Sequence, residues 1–181
     1  LPVHVLLYTL PGIPSVYYGS EFGVEGRKER GSDASLRPAL SLAELSSHDN
    51  VPLQIIGALG NIYSKESALW YGEYREAELT TTKYAFMRGD ILITVTNSDM
   101  EEGFDLGLDG TYTGALHGRE ISSDQGRLRS SLEGNSAEIW IPNSERNHYE
   151  PLKHSPEKMI NRNEPEESID EMPQRAEAGK S

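Results

Sequence analysis

The chain holds 181 residues with a formal net charge of −12, a sequence pI near 4.8 and no cysteine. That acidity excludes the basic stripe of a nucleic-acid footprint and attraction to anionic lipid, and it fits a soluble protein handling a neutral ligand. Without cysteine there are no disulfides and no thiolate metal sites, while the compartment, cytoplasmic or secreted, stays open.

Leu1 to Leu10 reads as the end of an apolar helix closed by Pro11-Gly12, a strong breaker pair. Its apolar run, Val3 to Leu10, is too short to span a bilayer and lacks the basic flank of a signal peptide. Ile13 to Gly19 is short, β-branched and aromatic. Its continuous apolar character predicts a strand buried on both faces, as in a parallel sheet. Residues 20–46 form a long, charged, glycine-containing connection anchored by Leu36, Pro38, Leu40, Leu42 and Leu45. A loop of that length in a folded protein usually carries function or packs over something. A helix follows, with Asp49 or Asn50 as cap and Pro52 in its first turn. Leu53, Ile56, Leu59, Ile62 and Tyr63 recur at helical spacing and are expected to face a core.

From Tyr71 the period becomes two. Tyr84/Phe86 and Ile91/Ile93/Val95 flank Gly89-Asp90, which suits a type II′ hairpin. Phe104, Leu106 and Leu108 alternate up to Asp109-Gly110, a second hairpin signal. Tyr112–Leu116, Arg127–Leu132 and Ala137–Ile141 complete an expected antiparallel β-sandwich with an apolar inner and a polar outer face. Residues 143–181, rich in Glu, Pro, Asn, Arg and Ser, read as a disordered polar tail.

The first segment cannot close a core alone. Leu6, Leu7, Ile13, Val16 and Tyr17 would each forgo about 1.5–3 kcal/mol of burial if left uncovered. The sum approaches the whole stability of a small domain. The segment therefore expects partner elements upstream, whereas the sandwich can bury its own inner face.

The run Leu10-Pro11-Gly12-Ile13-Pro14-Ser15-Val16-Tyr17-Tyr18-Gly19-Ser20-Glu21 closely resembles the eighth-strand motif of glycoside hydrolase family 13, the α-amylase family. Arg37-Pro38, a helix, Ala68-Leu69-x-x-Gly72-x-Tyr74, Tyr84-Ala85-Phe86-Met87-Arg88 and Val95-x-Asn97 follow in the family's order. The resemblance covers about residues 1–142, and looks most like the neopullulanase, cyclomaltodextrinase and maltogenic amylase types. It implies an α/β plus all-β organisation. Residues 1–70 would be the last strand and helix of a TIM (β/α)₈ barrel, and 71–142 the β-sandwich called domain C. It also implies retaining hydrolysis of α-glucosidic bonds, whose two principal carboxyl groups stand about 5–5.5 Å apart. The family's Asp/Glu/Asp set lies on strands before the eighth, so no catalytic residue carries over and the chain alone is expected to be inactive. The implied partner is an α-glucan or maltooligosaccharide held mainly by the barrel portion absent here. A homodimer of the parent protein, and calcium within it, stay open without assignable residues. Two other readings compete: a stand-alone sugar-binding or interaction sandwich, and a non-catalytic family homologue.

Several side chains invite a functional reading. Ser47-His48-Asp49-Asn50 mimics the family's seventh-strand His-Asp pair, but it follows the eighth strand and reads as a helix cap. Glu21 lies just past the C-terminal end of the expected strand, the face where barrel active sites form, and either supports the loop or meets substrate. Tyr17 and Tyr18 alternate across that strand and read first as packing. Arg37 either pairs within the loop or reaches a sugar hydroxyl. Tyr18, Glu21 and Arg37 are thus the candidate substrate-binding residues. Trp70 and Tyr71 are expected to pack at the domain junction. Trp140 is expected to face solvent as a surface sugar contact. Asp99, Glu101 and Glu102 read as a solvated acidic turn rather than a calcium loop.

Overall fold

Two runs late in the chain are apolar or buried at every position rather than every second one. Successive strand side chains point to opposite faces, so such a run requires cover on both sides of its sheet. The computed structural model, which describes residues 1–41, 50–145, 149, 151 and 152, supplies that cover. Ile91–Thr96 (β3) is buried at all six positions and Ala137–Pro142 (β8) at five. They pair antiparallel at the centre of a six-stranded sheet. Tyr74–Leu79 (β1) and Lys83–Arg88 (β2) extend it on one side, Thr111–Gly114 (β5) and Glu120–Ser122 (β6) on the other. Glu102–Leu106 (β4) and Leu128–Leu132 (β7) form a separate two-stranded antiparallel sheet.

The odd-numbered side chains of β3 and β8, Ile91, Ile93, Val95, Ala137, Ile139 and Ile141, pack with Phe86 against three helices. These are Pro2–Thr9 (α1), Val51–Lys65 (α2) and Ala68–Tyr71 (α3), contributing Val5, Ile55, Leu59, Ile62 and Leu69. The opposite face, with Ala85, Met87, Leu92 and Trp140, packs on Phe104, Leu106, Leu128 and Leu132 of the small sheet. The expected sandwich is present, but its larger sheet lies between two layers and has no polar outer face over its central strands. Trp140 is accordingly not at the surface. It is fully buried, and its indole N–H donates to Thr94 Oγ1 at 2.9 Å.

Other expectations change for equally local reasons. Ile13 to Gly19 forms no strand, since no neighbouring strand reaches it, and Ile13 remains 91% exposed. Among the described residues the first strand begins at Tyr74, so the barrel strand is not seen. Asn50 caps α2, its side-chain oxygen accepting from Leu53 N at 3.3 Å; His48 and Asp49 lie outside the described residues. Leu59 and Ile62 of α2 are buried and Tyr63 packs against them as expected, but Ile55 takes the buried position expected for Ile56, and Leu53 is exposed. Gly89-Asp90 joins β2 to β3 as a two-residue hairpin in which only Gly89 has positive φ, as type II′ requires. Asp109-Gly110 is no hairpin. There the chain leaves the small sheet and enters the large one.

The expected tail also starts folded. The Asn143 amide donates to Glu120 at 3.0 Å and its oxygen accepts from Thr113 at 2.7 Å. Further on, the Tyr149 hydroxyl donates to the buried Glu66 carboxylate, and Leu152 N donates to Leu116 O at 2.8 Å. Tyr149 and Leu152 are apolar anchors that the polar average of the segment conceals. Residues 153–181 lie outside the described residues.

One side chain ties the helices to the sheet. Arg88, at the end of β2, is almost fully buried and donates to three carbonyls: Thr9 at 2.7 Å, Leu69 at 2.9 Å and Gly72 at 3.2 Å. Arg88→Met removes all three donors and should destabilise the chain by roughly 3–5 kcal/mol. Urea unfolding of the full chain should show a lowered midpoint with an unchanged slope. On the same strand, burial and a 2.5 Å hydrogen bond to Tyr74 push the Tyr84 phenol up to about 12. An unfolded tyrosine ionises near about 10. The contribution of Tyr84 to stability is therefore complete below that pH and is lost as pH rises from about 10 to 12. A phenolate-absorbance titration should show a late-ionising tyrosine that Tyr84→Phe removes.

Candidate functional site

The candidate rim begins where α1 ends. Gly19 sits at φ +82, in the left-handed region, and starts a 3₁₀ turn over Ser20–Phe22 that ends at another left-handed residue, Gly23. Phe22 N and Val24 N both donate to Gly19 O, at 3.1 and 3.0 Å, so the chain folds back on itself here. This turn presents Glu21, which is half-buried. The Tyr18 hydroxyl reaches across the loop and donates to Pro38 O at 2.7 Å. Since Pro38 follows Arg37, that bond brings two of the three candidate residues to one stretch. Arg37 is exposed at the C-cap of a second 3₁₀ turn, Ala34–Leu36.

Among the described residues neither Glu21 nor Arg37 has a side-chain hydrogen bond or ion pair, so the pairing expected for Arg37 is not formed there. The loop is braced elsewhere. Ser35 Oγ donates to Arg27 O, Lys28 lies 3.6 Å from Asp33, and a Cβ on Gly26 would collide with the Ser35 carbonyl. The rim thus offers one carboxylate, one guanidinium and two exposed tyrosine rings. These groups can bind and orient a hydroxylated ligand. They do not form a close carboxyl pair, so general acid and nucleophile chemistry has no basis in these side chains.

The remaining sequence candidates separate clearly. Trp70 donates its indole N–H to Tyr63 O at 2.6 Å yet stays half-exposed, and Tyr71 is 87% exposed, so neither is packed into the junction as expected. Asp99 accepts from the Asn135 amide at 2.8 Å and Glu102 from Thr82 at 3.1 Å. Two of the three carboxylates of that turn, Asp99 and Glu102, therefore serve structural bonds. No group of three or more acidic, His or Cys side chains that could hold a metal occurs among the described residues. Nor is any helix among them long and apolar enough to cross a membrane.

Sequence reasoning missed two buried charges. Arg88 stood inside a matched motif, but a motif does not report which carbonyls a guanidinium will meet. Glu138, fully buried on β8, accepts from Leu116 N (2.8 Å), His117 N (3.1 Å), His117 Nδ1 (2.8 Å) and Ile139 N (2.9 Å). The signal available was a glutamate inside an apolar strand; in the structure it lies diagonally across from Gly114, where a Cβ would meet its carboxylate. Because Gly26 holds the loop behind the candidate rim, Gly26→Ala should force the two loop limbs apart. Limited trypsin digestion at Arg27, Lys28 and Arg30 should accelerate several-fold, with the sandwich fragment left intact.

No family model matches the chain. A cyclomaltodextrin glucanotransferase from Bacillus sp. (strain 1-1) is 30% identical over 149 residues, which is 75% of this chain. The chain spans about a fifth (20%) of that relative's length. Among solved structures, an α-amylase from Malbranchea cinnamomea superposes with a TM-score of 0.66 at 22% identity, over 79% of this chain and 32% of its own. AmyP E221Q, solved in complex with maltotriose, gives 0.65 at 19% identity over 78% and 34% respectively. The mostly antiparallel sheet described above is the architecture that these enzymes share with it. The order of motifs, the sequence relative and the fold agree, and the chain belongs to the C-terminal region of the α-amylase family, glycoside hydrolase family 13.

Proposed function

We propose that residues 1–70 close a (β/α)₈ barrel, that residues 71–142 are domain C behind it, and that the parent protein hydrolyses α-glucosidic bonds of maltodextrins by the retaining route. The observation that carries this reading is an imbalance of burial. Both faces of the large sheet are covered, one by the small sheet and one by the helices, while Val3, Leu7, Ile13, Tyr17, Tyr18 and Leu53 lie exposed on the segment that bears the strand motif. Each would recover about 1.5–3 kcal/mol under neighbouring elements. A patch of this kind marks an interface rather than a solvent face. Strand pairing to a preceding barrel strand would also satisfy the extended backbone of residues 13–17, which has no ladder partner here.

In that setting Tyr18, Glu21 and Arg37 stand at the C-terminal rim of the barrel, where substrate is held. Their role is to bind and orient an α-glucan, consistent with the maltotriose bound by AmyP. The nucleophile and the acid/base would come from the preceding strands. Domain C stabilises the last helix and strand from outside.

The purified chain should release no reducing sugar from maltoheptaose. A version extended upstream through seven further barrel strands should do so with retention of anomeric configuration. Hydrolysis by the present chain would refute the assignment of its chemistry to missing elements. An extended version that folds yet fails on every α-glucan would refute the enzyme reading.

A further inference from the structure

Asp109-Gly110 is the one Asp-Gly pair in the sequence, and no asparagine precedes a glycine. It carries the chain from the small sheet into the large one. Such a pair has a chemical weakness. The backbone nitrogen that follows an aspartate can close on the side-chain carboxyl carbon, and glycine, without a Cβ, hinders that approach least. Both residues are exposed, and Gly110 sits at φ +127, a conformation that residues bearing a Cβ rarely adopt.

Contacts to one residue add to that weakness. Ser123, which follows β6, lies opposite Gly110, and its backbone N–H donates to Gly110 O at 2.9 Å. The Ser123 hydroxyl oxygen accepts from Gly110 N at 3.0 Å, and the same hydroxyl donates to Asp109 Oδ1 at 3.3 Å. A hydroxyl has one donor and two acceptor lone pairs, so it can do both at once. It thus bridges the nitrogen that must lose a proton and the oxygen that must leave with one. The asparagines that precede serine are placed differently. The Asn135 amide donates to Asp99 at 2.8 Å, and Asn143 is held between Glu120 and Thr113.

We propose that Asp109-Gly110 is a self-modifying site that passes through a succinimide to isoaspartate, with Ser123 as its proton relay. In the first step Gly110 N bonds to Cγ of the protonated Asp109 carboxyl, and the bond from Cγ to Oδ1 breaks. The amide proton moves to Ser123 Oγ while the Ser123 hydroxyl proton moves to Oδ1. Oδ1, which already carries the carboxyl proton, leaves as water. In the second step water adds to the imide. Attack on Cγ restores aspartate. Attack on the main-chain carbonyl carbon breaks its bond to Gly110 N and leaves the chain running through Cγ, one carbon longer. The pairing of Thr111 with Ser122 begins at the next residue, so the β5–β6 edge of the large sheet is the first structure to feel the change.

The test is prolonged incubation of the full chain at mildly acidic pH beside a synthetic peptide of residues 105–114. Mass-spectrometric peptide mapping reads the succinimide as the loss of one water, and labelling by an isoaspartyl methyltransferase reads the product. The folded chain should convert at Asp109 faster than the peptide. Ser123→Ala should slow the conversion at least about tenfold, as loss of a positioned proton-transfer group does. Ser123→Thr keeps a hydroxyl and should keep the rate, and Asp109→Glu, which would have to close a six-membered ring, should abolish conversion. Thermal melting checks that each variant is folded. Conversion in Ser123→Ala that is unchanged or faster means that Ser123 merely restrains the link, and overturns the relay. A folded chain that converts no faster than the peptide overturns the site, whatever the variants do.

Discussion

Arg88 sits where the helices meet the large sheet. Among the described residues its buried guanidinium pairs with no carboxylate and is compensated by three carbonyl dipoles, two of them from α1 and α3. Helix C-terminal carbonyls carry partial negative charge, so the arginine neutralises helix ends rather than a side chain. Burial lowers its pKa from the usual arginine value, without bringing its loss of charge near physiological pH. The same corner holds Gly72 and Gly89, whose backbones approach so closely that a Cβ on Gly72 would lie 2.7 Å from Gly89 N. The β2–β3 hairpin, the end of α1 and the start of the sheet are therefore set by one contact. Since the candidate rim leaves from α1, its position is inherited from Arg88.

The sheet shows why periodicity carries a fold only part of the way. Alternation in Phe104/Leu106 and in Ile91/Ile93/Val95 was sufficient to place strands and the Gly89-Asp90 turn. What lies over the second face of a strand is a tertiary fact. Thr94, Glu138 and Trp140 look outward-facing by composition, yet all three are buried: Trp140 packs on the small sheet and donates to Thr94, and Glu138 is covered by the turn after β5. A buried glutamate is tolerable because four donors converge on it, and three of them come from a turn more than twenty residues away in sequence. No local window contains that information. The same reasoning accounts for Asp109-Gly110, whose turn chemistry was read correctly while its destination, the other sheet, was not.

For the candidate site the legible part was family-level and positional. The Leu10–Glu21 motif located the rim, and the burial deficit of Ile13 and Tyr17 indicated that the segment needs neighbours. The structure added Tyr18 on Pro38, a contact spanning twenty residues of irregular chain that no periodicity encodes. It also removed Trp140 from consideration and exposed Tyr71 instead. Aromatic residues in strands and at junctions are ambiguous in sequence because their exposure depends on the layer above them.

Two ties to the sheet bracket the region between the rim and the sandwich. At its beginning α1 is held by Arg88. At its end α2 is held through Glu66, whose carboxylate is buried and accepts the Tyr149 hydroxyl from beyond the last strand. Among its described residues the intervening loop, by contrast, is braced by contacts within itself and an exposed ion pair, of the kind that contributes about 0–1 kcal/mol. Rigidity is thus concentrated in the helix–sheet interface and is low in the rim itself. A rim with few fixed contacts can adjust to a ligand, provided that its two ends do not move. The strands from Tyr74 to Pro142, with Tyr149 and Leu152, meet that condition from behind, through buried hydrogen bonds at both ends. The mechanical role of the sheet layers therefore follows from where the buried polar contacts lie, independently of which sugar the rim receives.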